Sequence, residues 1–339
     1  MNDRYSRQEL FAPIGKEGQR RLGERHVLII GAGALGTGNA EILVRAGVGK
    51  VTIVDRDYVD WSNLQRQQLY TEEDAIQRMP KAAVAAERLK KINSSIEIEA
   101  KIMDVTPVEI ESLTEGIDLM IDASDNFDIR MIMNDISQKK QIPWIYGAVL
   151  GSYGISYAII PGKTPCLSCL METIPIGGAT CDTVGVIAPA VQMVVTLQTA
   201  EALKWLTGNE EAMSGRLTSF DLWKNEYASI RVDKLKKEDC PSCGVRAQYP
   251  FLSASNLSRT AVLCGRDTVQ IRPPKPQSLD LDALGESLSS LGLKVERNPY
   301  LLAFQPDHRR LVAFRDGRVL VHGTKDTAEA RSLYHRYFG

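Results

Sequence analysis

Residues 26–36 read HVLIIGAGALG, an apolar run followed at once by a glycine-rich segment. The run His26–Ile30 is typical of a short buried strand, and Gly31–Gly36 fits the pattern G-x-G-x-x-G between a strand and a helix. Such glycines allow a tight turn and let phosphate approach the backbone at the start of the helix. The segment favours a nucleotide site over a plain packing turn, but it does not choose between NAD and ATP. Its candidate binding residues are Gly31, Gly33, Ala34 and Gly36.

Strand-like and helix-like stretches alternate on both sides of this segment, which predicts a parallel sheet with right-handed crossovers. The other strand-like runs are residues 51–55, 96–102, 117–122 and 143–149. After Gly154 the pattern favours antiparallel strands around a long helix. We therefore expect an α/β fold, a Rossmann-like sheet with a parallel nucleotide-binding half and an antiparallel continuation, plus a small C-terminal α+β domain. The predicted domains are residues 1–250 and 260–339.

The composition of the 339 residues is that of a soluble globular protein, with 44% hydrophobic and 24% charged residues. Lysine and arginine number 41 against 42 aspartates and glutamates, so a general electrostatic field for nucleic acid is not expected. The N-terminus MNDRYSRQEL is charged and lacks the apolar core of a secretory signal. Polar residues interrupt the longest apolar stretch, 187–206, which excludes a membrane span. We expect a cytoplasmic protein that binds neither nucleic acid nor membranes.

Charged residues follow the ends of the predicted strands. Asp55 ends the second strand, where a carboxylate that binds ribose is expected. Arg66 lies in the polar run Ser62–Gln67 (SNLQRQ), Lys81 starts a helix, and Asp125 follows a buried strand. Two cations and a carboxylate suit a triphosphate with Mg²⁺, whereas NAD needs no metal. Each residue alone is typical of a solvated surface charge, so the prediction depends on the whole set.

Four of the six cysteines form two pairs with C-x-x-C spacing. Two such pairs can bind one Zn²⁺ through four thiolates, which closes the coordination shell and makes the metal structural. A redox dithiol is the alternative, but it would need only one pair. The predicted zinc ligands are Cys166, Cys169, Cys240 and Cys243. Cys181 lies in a loop of small residues, where a buried apolar role and a functional role are both open.

Together these motifs resemble the HesA/MoeB/ThiF family, the bacterial relatives of ubiquitin-activating enzymes. The resemblance extends from about Tyr5 to Gly244. It is carried by YSRQ at 5–8, the glycine segment at 31–36, Asp55, SNLQRQ at 62–67, Pro80-Lys81, residues 122–126, the four paired cysteines and ATCD at 179–182.

The resemblance implies an enzyme that binds Mg-ATP and adenylates the C-terminal glycine carboxylate of a ubiquitin-fold sulfur carrier, releasing pyrophosphate. It implies that Asp55 binds the ribose hydroxyls, that Asp125 holds Mg²⁺, and that Cys181 joins the activated carrier or takes part in sulfur transfer. It matches the four paired cysteines to zinc ligands. The residues that it places on the phosphates are Asn63, Arg66 and Lys81, with Ser62 and Asn126 as further binding residues.

The resemblance also implies partners. Arg7 matches an arginine that in relatives reaches the ATP site of the other subunit, which implies a homodimer. The carrier is expected to end in Gly-Gly and to be of the MoaD type, for molybdenum cofactor synthesis. A ThiS-type carrier, for thiamine thiazole synthesis, is the alternative. The C-terminal domain has no C-R-x-G sulfur loop, so sulfur is expected from another protein, with a cysteine desulfurase as the candidate. That domain is open to carrier docking, dimer support or a purely structural role.

Two other classes of function remain as alternatives. An NAD-dependent dehydrogenase would use the glycine segment and Asp55, but it would leave Arg66, Lys81 and Asp125 without a role. A non-catalytic binder of a ubiquitin-fold protein would need neither Mg²⁺ nor phosphate ligands. A carrier carboxylate is already a nucleophile at neutral pH, so adenylation needs no general base. The small number of histidines, four in the whole chain, therefore does not count against it.

Overall fold

The computed structural model describes residues 3–171, 184–253, 260–262, 267–273, 278–306 and 308–338. The chain divides into two compact units, Met1–Asn256 and Leu257–Gly339. Within the described residues, no helix is both long enough and apolar enough to cross a membrane.

The first unit is built on one eight-stranded sheet. Its strands are β1 (His26–Ile30), β2 (Lys50–Asp55), β3 (Glu97–Ile102), β4 (Leu119–Asp122), β5 (Trp144–Leu150), β6 (Tyr153–Ile159), β7 (Arg216–Asp221) and β8 (Glu226–Arg231). They lie in the order β3-β2-β1-β4-β5-β6-β7-β8. The pairs from β3 to β5 are parallel, and those from β5 to β8 are antiparallel.

Helices cover both faces of this sheet. They are α1 (Ser6–Glu9), α2 (Gly15–Leu22), α3 (Ala34–Ala46), α4 (Glu72–Ile76), α5 (Lys81–Ile92), α6 (Glu109–Leu113), α7 (Phe127–Lys140), α8 (Leu167–Met171) and α9 (Ala188–Leu206). Apolar residues of α3, α5 and α9 form a core on one face, and those of α6, α7 and α8 form a core on the other. Burial of both faces explains why the central strands β1 and β4 are almost entirely apolar, whereas the edge strand β3 carries Glu97, Glu99 and Lys101.

The parallel strands β1, β2 and β4 end at the same edge of the sheet. Ile30, the last residue of β1, is paired with Val54 of β2 and with Asp122 of β4. The chain continues from β1 to β2 on one side and from β3 to β4 on the other, so the strand order reverses beside β1. Ligands of open α/β sheets bind outside the carboxyl ends of the strands at such a reversal.

The second unit has its own antiparallel sheet. Its strands are β9 (Thr260–Val262), β10 (Thr268–Ile271), β11 (Val295–Arg297), β12 (Leu301–Phe304), β13 (Arg310–Phe314) and β14 (Val319–His322), in the order β11-β12-β13-β14-β10-β9. The helices α10 (Leu281–Ser290) and α11 (Thr327–Phe338) contribute Leu288 and Leu333 to its core. The predicted fold class, a partly parallel Rossmann-like sheet with a separate α+β part, is confirmed.

Candidate functional site

Two of the three motif glycines are required by the turn itself. Gly31 has a φ of +106°, and a Cβ there would lie 2.3 Å from the carbonyl oxygen of Ala123. A Cβ at Gly36 would lie 1.9 Å from the carbonyl oxygen of Gly31. At Gly33, by contrast, the atom nearest to a Cβ would be Nε2 of Gln67, 3.7 Å away. Gly31 and Gly36 therefore shape the turn, and Gly33 leaves space beside the start of α3.

The start of α3 offers backbone donors to an anion. Gly33 is the N-cap residue, and no side chain caps the helix. The first amides of a helix have no acceptor within the helix, and the helix dipole is positive at this end. The arrangement is suited to a phosphate group. Ala34 is the first helical residue, a position where alanine causes no strain.

The Asp55 carboxylate fastens the glycine turn to the end of β2. Its two oxygens accept hydrogen bonds from the backbone amides of Ala32 and Asp57, each at 2.6 Å. Burial raises the pKa of Asp55 above its ordinary value, while the nearby Lys81 and the two amides oppose the rise. Each carboxylate oxygen has a second lone pair, so Asp55 can still accept a hydrogen bond from a hydroxyl group of a bound ligand.

Lys81 is held at the same edge of the sheet by backbone pairing. The amide of Val59 donates to Met79 and the amide of Lys81 donates to Asp57, both at 2.9 Å. The Lys81 side chain is 6% exposed, and its Nζ lies 3.4 Å from Oδ2 of Asp57. A cation is therefore fixed close to Asp55, although 26 positions separate Lys81 from Asp55 in the sequence.

Tyr70 connects the glycine turn to Lys81, a role that the sequence did not indicate. Its buried hydroxyl lies 2.6 Å from the carbonyl oxygen of Ala32 and 3.1 Å from that of Lys81, and it donates to them. Burial raises the pKa of Tyr70 well above its ordinary value, so the hydroxyl keeps its proton. Tyr70 thus fixes the distance between the two parts of the site.

We predict that Tyr70→Phe lowers the free energy of unfolding by about 1–2 kcal/mol, because it leaves the carbonyl oxygen of Ala32 without the donor 2.6 Å away. Urea unfolding measures the change. Tyr227→Phe is the matched control, since Tyr227 is 64% exposed on β8 and should change stability by less than about 0.5 kcal/mol. Equal losses in the two variants would contradict the role of Tyr70.

The motif SNLQRQ forms a capped turn next to the glycine segment. The amide of Ser62 donates to the Asp60 carboxylate at 3.0 Å, and Oδ1 of Asn63 accepts from the amide of Asp60 at 3.1 Å. Arg66 donates to the carbonyl oxygen of Ser62 at 2.9 Å. Asn63 is buried and uses its oxygen to hold the turn, Ser62 is exposed, and Arg66 is partly exposed. One of the five guanidinium N–H groups of Arg66 thus anchors the side chain, which positions the others.

Asp125 is exposed in the loop after β4, at the carboxyl edge of the sheet. The next residue, Asn126, caps α7, because its Oδ1 accepts from the amide of Asp128 at 2.8 Å. Arg130 holds this loop from within. It donates to Asp122, which is fully buried, at 2.9 Å and to the carbonyl oxygen of Ser124 at 2.7 Å. Arg130 is a further positioning residue that sequence reasoning missed.

Arg7 lies at the opposite end of α3 from the glycine turn. It is exposed on α1, where the neighbouring Gln8 donates to the carbonyl oxygen of Ala46 at 2.9 Å. Ala46 is the last of the 13 residues of α3, so the two ends of this helix are about 20 Å apart. The side chain of Arg7 is too short to reach the glycine turn of its own chain.

The four paired cysteines form one cluster. Their sulfur atoms lie within 4.8 Å of one another. Cys166 is 3.8 Å from Cys169 and 3.6 Å from Cys240, and Cys169 is 3.5 Å from Cys243. A tetrahedral zinc ion with Zn–S bonds of about 2.3 Å would separate its sulfur ligands by about 3.8 Å. The sequence-predicted ligands therefore meet with spacings that fit such an ion.

Residues beside the cysteines tie the cluster to α7. Asn134 accepts from the amide of Leu167 at 2.8 Å and donates to Ser168 at 3.3 Å. Ser168 lies 2.9 Å from Ser242, which occupies the same place in the other C-x-x-C pair. The cluster thus joins α8, α7 and the segment after β8. Cys181 lies outside the described residues, so its role stays a prediction.

Compared with known protein families, residues 5–242 match the ThiF family. The chain belongs to the ThiF family. It is 55% identical over 339 residues to the sulfur carrier protein ThiS adenylyltransferase of Bacillus subtilis, covering 100% of both chains. It is 36% identical over 249 residues to the Escherichia coli protein of the same name, covering 72% of this chain and 97% of that one. A crystal structure of E. coli MccB with ATP has a TM-score of 0.63 at 22% identity, covering 72% and 74% of the two chains, which is a likeness of fold.

Membership of the ThiF family confirms the resemblance seen in the sequence, and the prediction that the chain is an adenylyltransferase is confirmed with it. The dehydrogenase alternative is set aside. The site of this ThiF-family chain brings together the glycine turn, Asp55 and Lys81, and the roles predicted for them stay predictions. It leaves Arg7 at a distance, and the oxygens of Asn63 and Asn126 serve as caps.

Proposed function

We propose that the protein adenylates the C-terminal glycine carboxylate of a ThiS-type sulfur carrier. The full-length similarity to the B. subtilis ThiS adenylyltransferase supports this carrier, because it includes the second unit. The E. coli protein of the same name matches 72% of this chain, so the similarity to it covers less. No residue distinguishes the MoaD-type carrier expected from the sequence, and that carrier is the competing substrate in the test below.

One observation carries the proposal: the turn of Gly31–Gly36, the Asp55 carboxylate and the buried Lys81 meet where the parallel strands end. In the reaction, a carrier carboxylate oxygen forms a bond to the α-phosphorus of ATP. The bond from that phosphorus to the bridging oxygen of pyrophosphate breaks, and pyrophosphate leaves with the electron pair. The main obstacle is the repulsion of two anions, which fixed cations reduce.

Each residue of the site has a place in this scheme. Asp55 accepts hydrogen bonds from the ribose hydroxyls, and the first amides of α3 contact phosphate. Lys81 and Arg66 neutralise the charge that develops on pyrophosphate. Mg²⁺ is held in proteins by one or two carboxylates together with substrate phosphates, and it neutralises phosphate charge when bound. The exposed carboxylate of Asp125 at the carboxyl edge fits such a ligand.

Zn²⁺ is the proposed metal of the cysteine cluster. The donors are four thiols, their spacing fits tetrahedral coordination, and Cys166, Cys169 and Cys240 are buried. Four protein ligands leave no open position for a substrate, so the metal is structural. Reduced thiols of this kind persist in the cytoplasm, where we place the reaction.

Arg7 supports a homodimeric enzyme. It lies about 20 Å from the glycine turn of its own chain and is exposed, so it can contribute to an ATP site only in a second copy. Sulfur for the activated carrier would come from a cysteine desulfurase, and Cys181 remains the candidate to accept the carrier.

Intact mass spectrometry of both carriers tests the proposal. A purified ThiS-type carrier and a MoaD-type carrier are incubated separately with this protein, Mg²⁺ and ATP. We expect one AMP on the ThiS-type carrier, and pyrophosphate exchange into ATP only when that carrier is present. AMP on the MoaD-type carrier alone would overturn the assignment of a ThiS-type carrier but would support the adenylation reaction. ATP binding without AMP on either carrier would favour the non-catalytic binder.

A further inference from the structure

Gln67 is a buried side chain that the protein itself does not satisfy. Its backbone is fixed, because its amide donates to Asn63 at 3.0 Å and its carbonyl oxygen accepts from Tyr70 at 3.1 Å. The residue is 4% exposed, and its side-chain oxygen is buried and accepts no hydrogen bond from the described part of the chain. Buried polar side chains that a protein leaves without partners are rare, and each calls for an explanation such as a catalytic role or a bound water or ion.

The other end of the same amide faces the space at Gly33. Nε2 of Gln67 is the atom nearest to the place where a Gly33 Cβ would stand, at 3.7 Å. Gly33 is the N-cap of α3, a helix of 13 residues that no side chain caps. The amide therefore lies beside a helix start that is suited to an anion.

From this geometry we propose that Gln67 binds the triphosphate of ATP. Its Nε2–H₂ group donates a hydrogen bond to a phosphoryl oxygen lying over Gly33, next to the first amides of α3. The unsatisfied Oε1 of Gln67 destabilises the ligand-free protein. The Nε2 group of the same amide, beside Gly33, can offset this cost by donating to the bound nucleotide. The inference rests on the proposed function, since it requires ATP at the glycine turn.

Gln67→Met tests the inference, because methionine has a similar length and no donor. We expect binding of the non-hydrolysable analogue AMPCPP with Mg²⁺, measured by isothermal titration calorimetry, to weaken about tenfold to a hundredfold, as for loss of a hydrogen bond to a charged group. The melting temperature of the ligand-free variant should be unchanged or higher, because a buried unsatisfied amide is removed. Gln67→Glu should weaken binding at least as much, because it adds an anion beside phosphate.

Gln68→Met is the matched control, since Gln68 is exposed one position along the chain and should bind AMPCPP like the native protein. Native affinity in Gln67→Met would overturn the inference. A lower melting temperature with native affinity would also overturn it and assign Gln67 a structural role. Native protein that binds no AMPCPP would refute the proposed function itself. Native binding without carrier adenylation would refute the reaction alone and leave the result for Gln67 standing.

Discussion

Cys240→Ser is expected to release the bound zinc and to destabilise the first unit more than any other single substitution considered above. Cys240 is 4% exposed and lies 3.6 Å from Cys166 in the cluster. The proposed zinc ligand that is lost links the start of α8 to the segment after β8, since Cys166 and Cys240 are 74 positions apart. Structural zinc contributes about 10–16 kcal/mol to the folding of small zinc-finger peptides. The loss here should therefore far exceed the ~1 kcal/mol that is typical of a point substitution.

Two measurements check this result. Elemental analysis should give one zinc per native chain and much less in the variant, and denaturant unfolding should show the loss of stability. Chelator treatment of the native protein should reproduce the effect. Cys181→Ser is the control, because Cys181 belongs to neither C-x-x-C pair and should leave the zinc content unchanged. Native protein purified without zinc, or a variant with native stability, would contradict the prediction.

The candidate residues that the structure brings together are those that lie at strand ends. Gly31 and Asp55 each follow or end a buried run, and parallel strands that end at one edge must bring such residues together. The cysteine cluster was predictable for a different reason, because four thiols in two C-x-x-C pairs have few stable uses other than one metal. In both cases a pattern in the sequence, a buried run followed by a polar residue or a C-x-x-C pair, fixes where the side chains lie in the fold.

The residues that the sequence did not indicate act through contacts between distant segments. Tyr70 bridges Ala32 and Lys81, and Arg130 reaches back to Asp122 and Ser124. No periodic pattern marks a hydroxyl or guanidinium that meets a carbonyl oxygen only after folding. These contacts depend on the paths of the loops, which propensity and apolar spacing do not determine.

The asparagines show the converse limit. Asn63 and Asn126 are in binding motifs, yet their oxygens accept from backbone amides at 3.1 Å and 2.8 Å and hold local turns. Asparagine is favoured at such caps for reasons unrelated to a ligand. A motif can therefore locate a site without showing which of its residues bind the ligand and which hold the loops in place.

In the second unit, β11 is only three residues long, and two of them, Glu296 and Arg297, are charged. Its sequence pattern therefore does not stand out as a strand.

Lys81→Met should lower the rate of carrier adenylation by about 10²- to 10³-fold, the usual effect of removing one fixed group that stabilises a transition-state charge. The Lys81 side chain is 6% exposed and lies 3.4 Å from Asp57, so water screens little of its charge at the edge of the sheet where the phosphates are proposed to bind. The loss should fall mainly on the rate at saturating ATP, because pyrophosphate gains charge as the bond to the α-phosphorus breaks. Single-turnover formation of the carrier adenylate measures this rate.

Lys91→Met provides the matched control on the same helix. Lys91 is 72% exposed and pairs with Glu87 one turn away, and an exposed ion pair of this kind contributes less than about 1 kcal/mol. The control should therefore adenylate the carrier at the native rate. Lys81→Arg should recover only part of the activity, since it restores a charge but not the compact ammonium group that fits beside Asp57. If Lys81→Met kept the native single-turnover rate, Lys81 would serve only as the partner of Asp57, and the charge on pyrophosphate would have to be neutralised by the other groups proposed for the site, such as Arg66 and Mg²⁺.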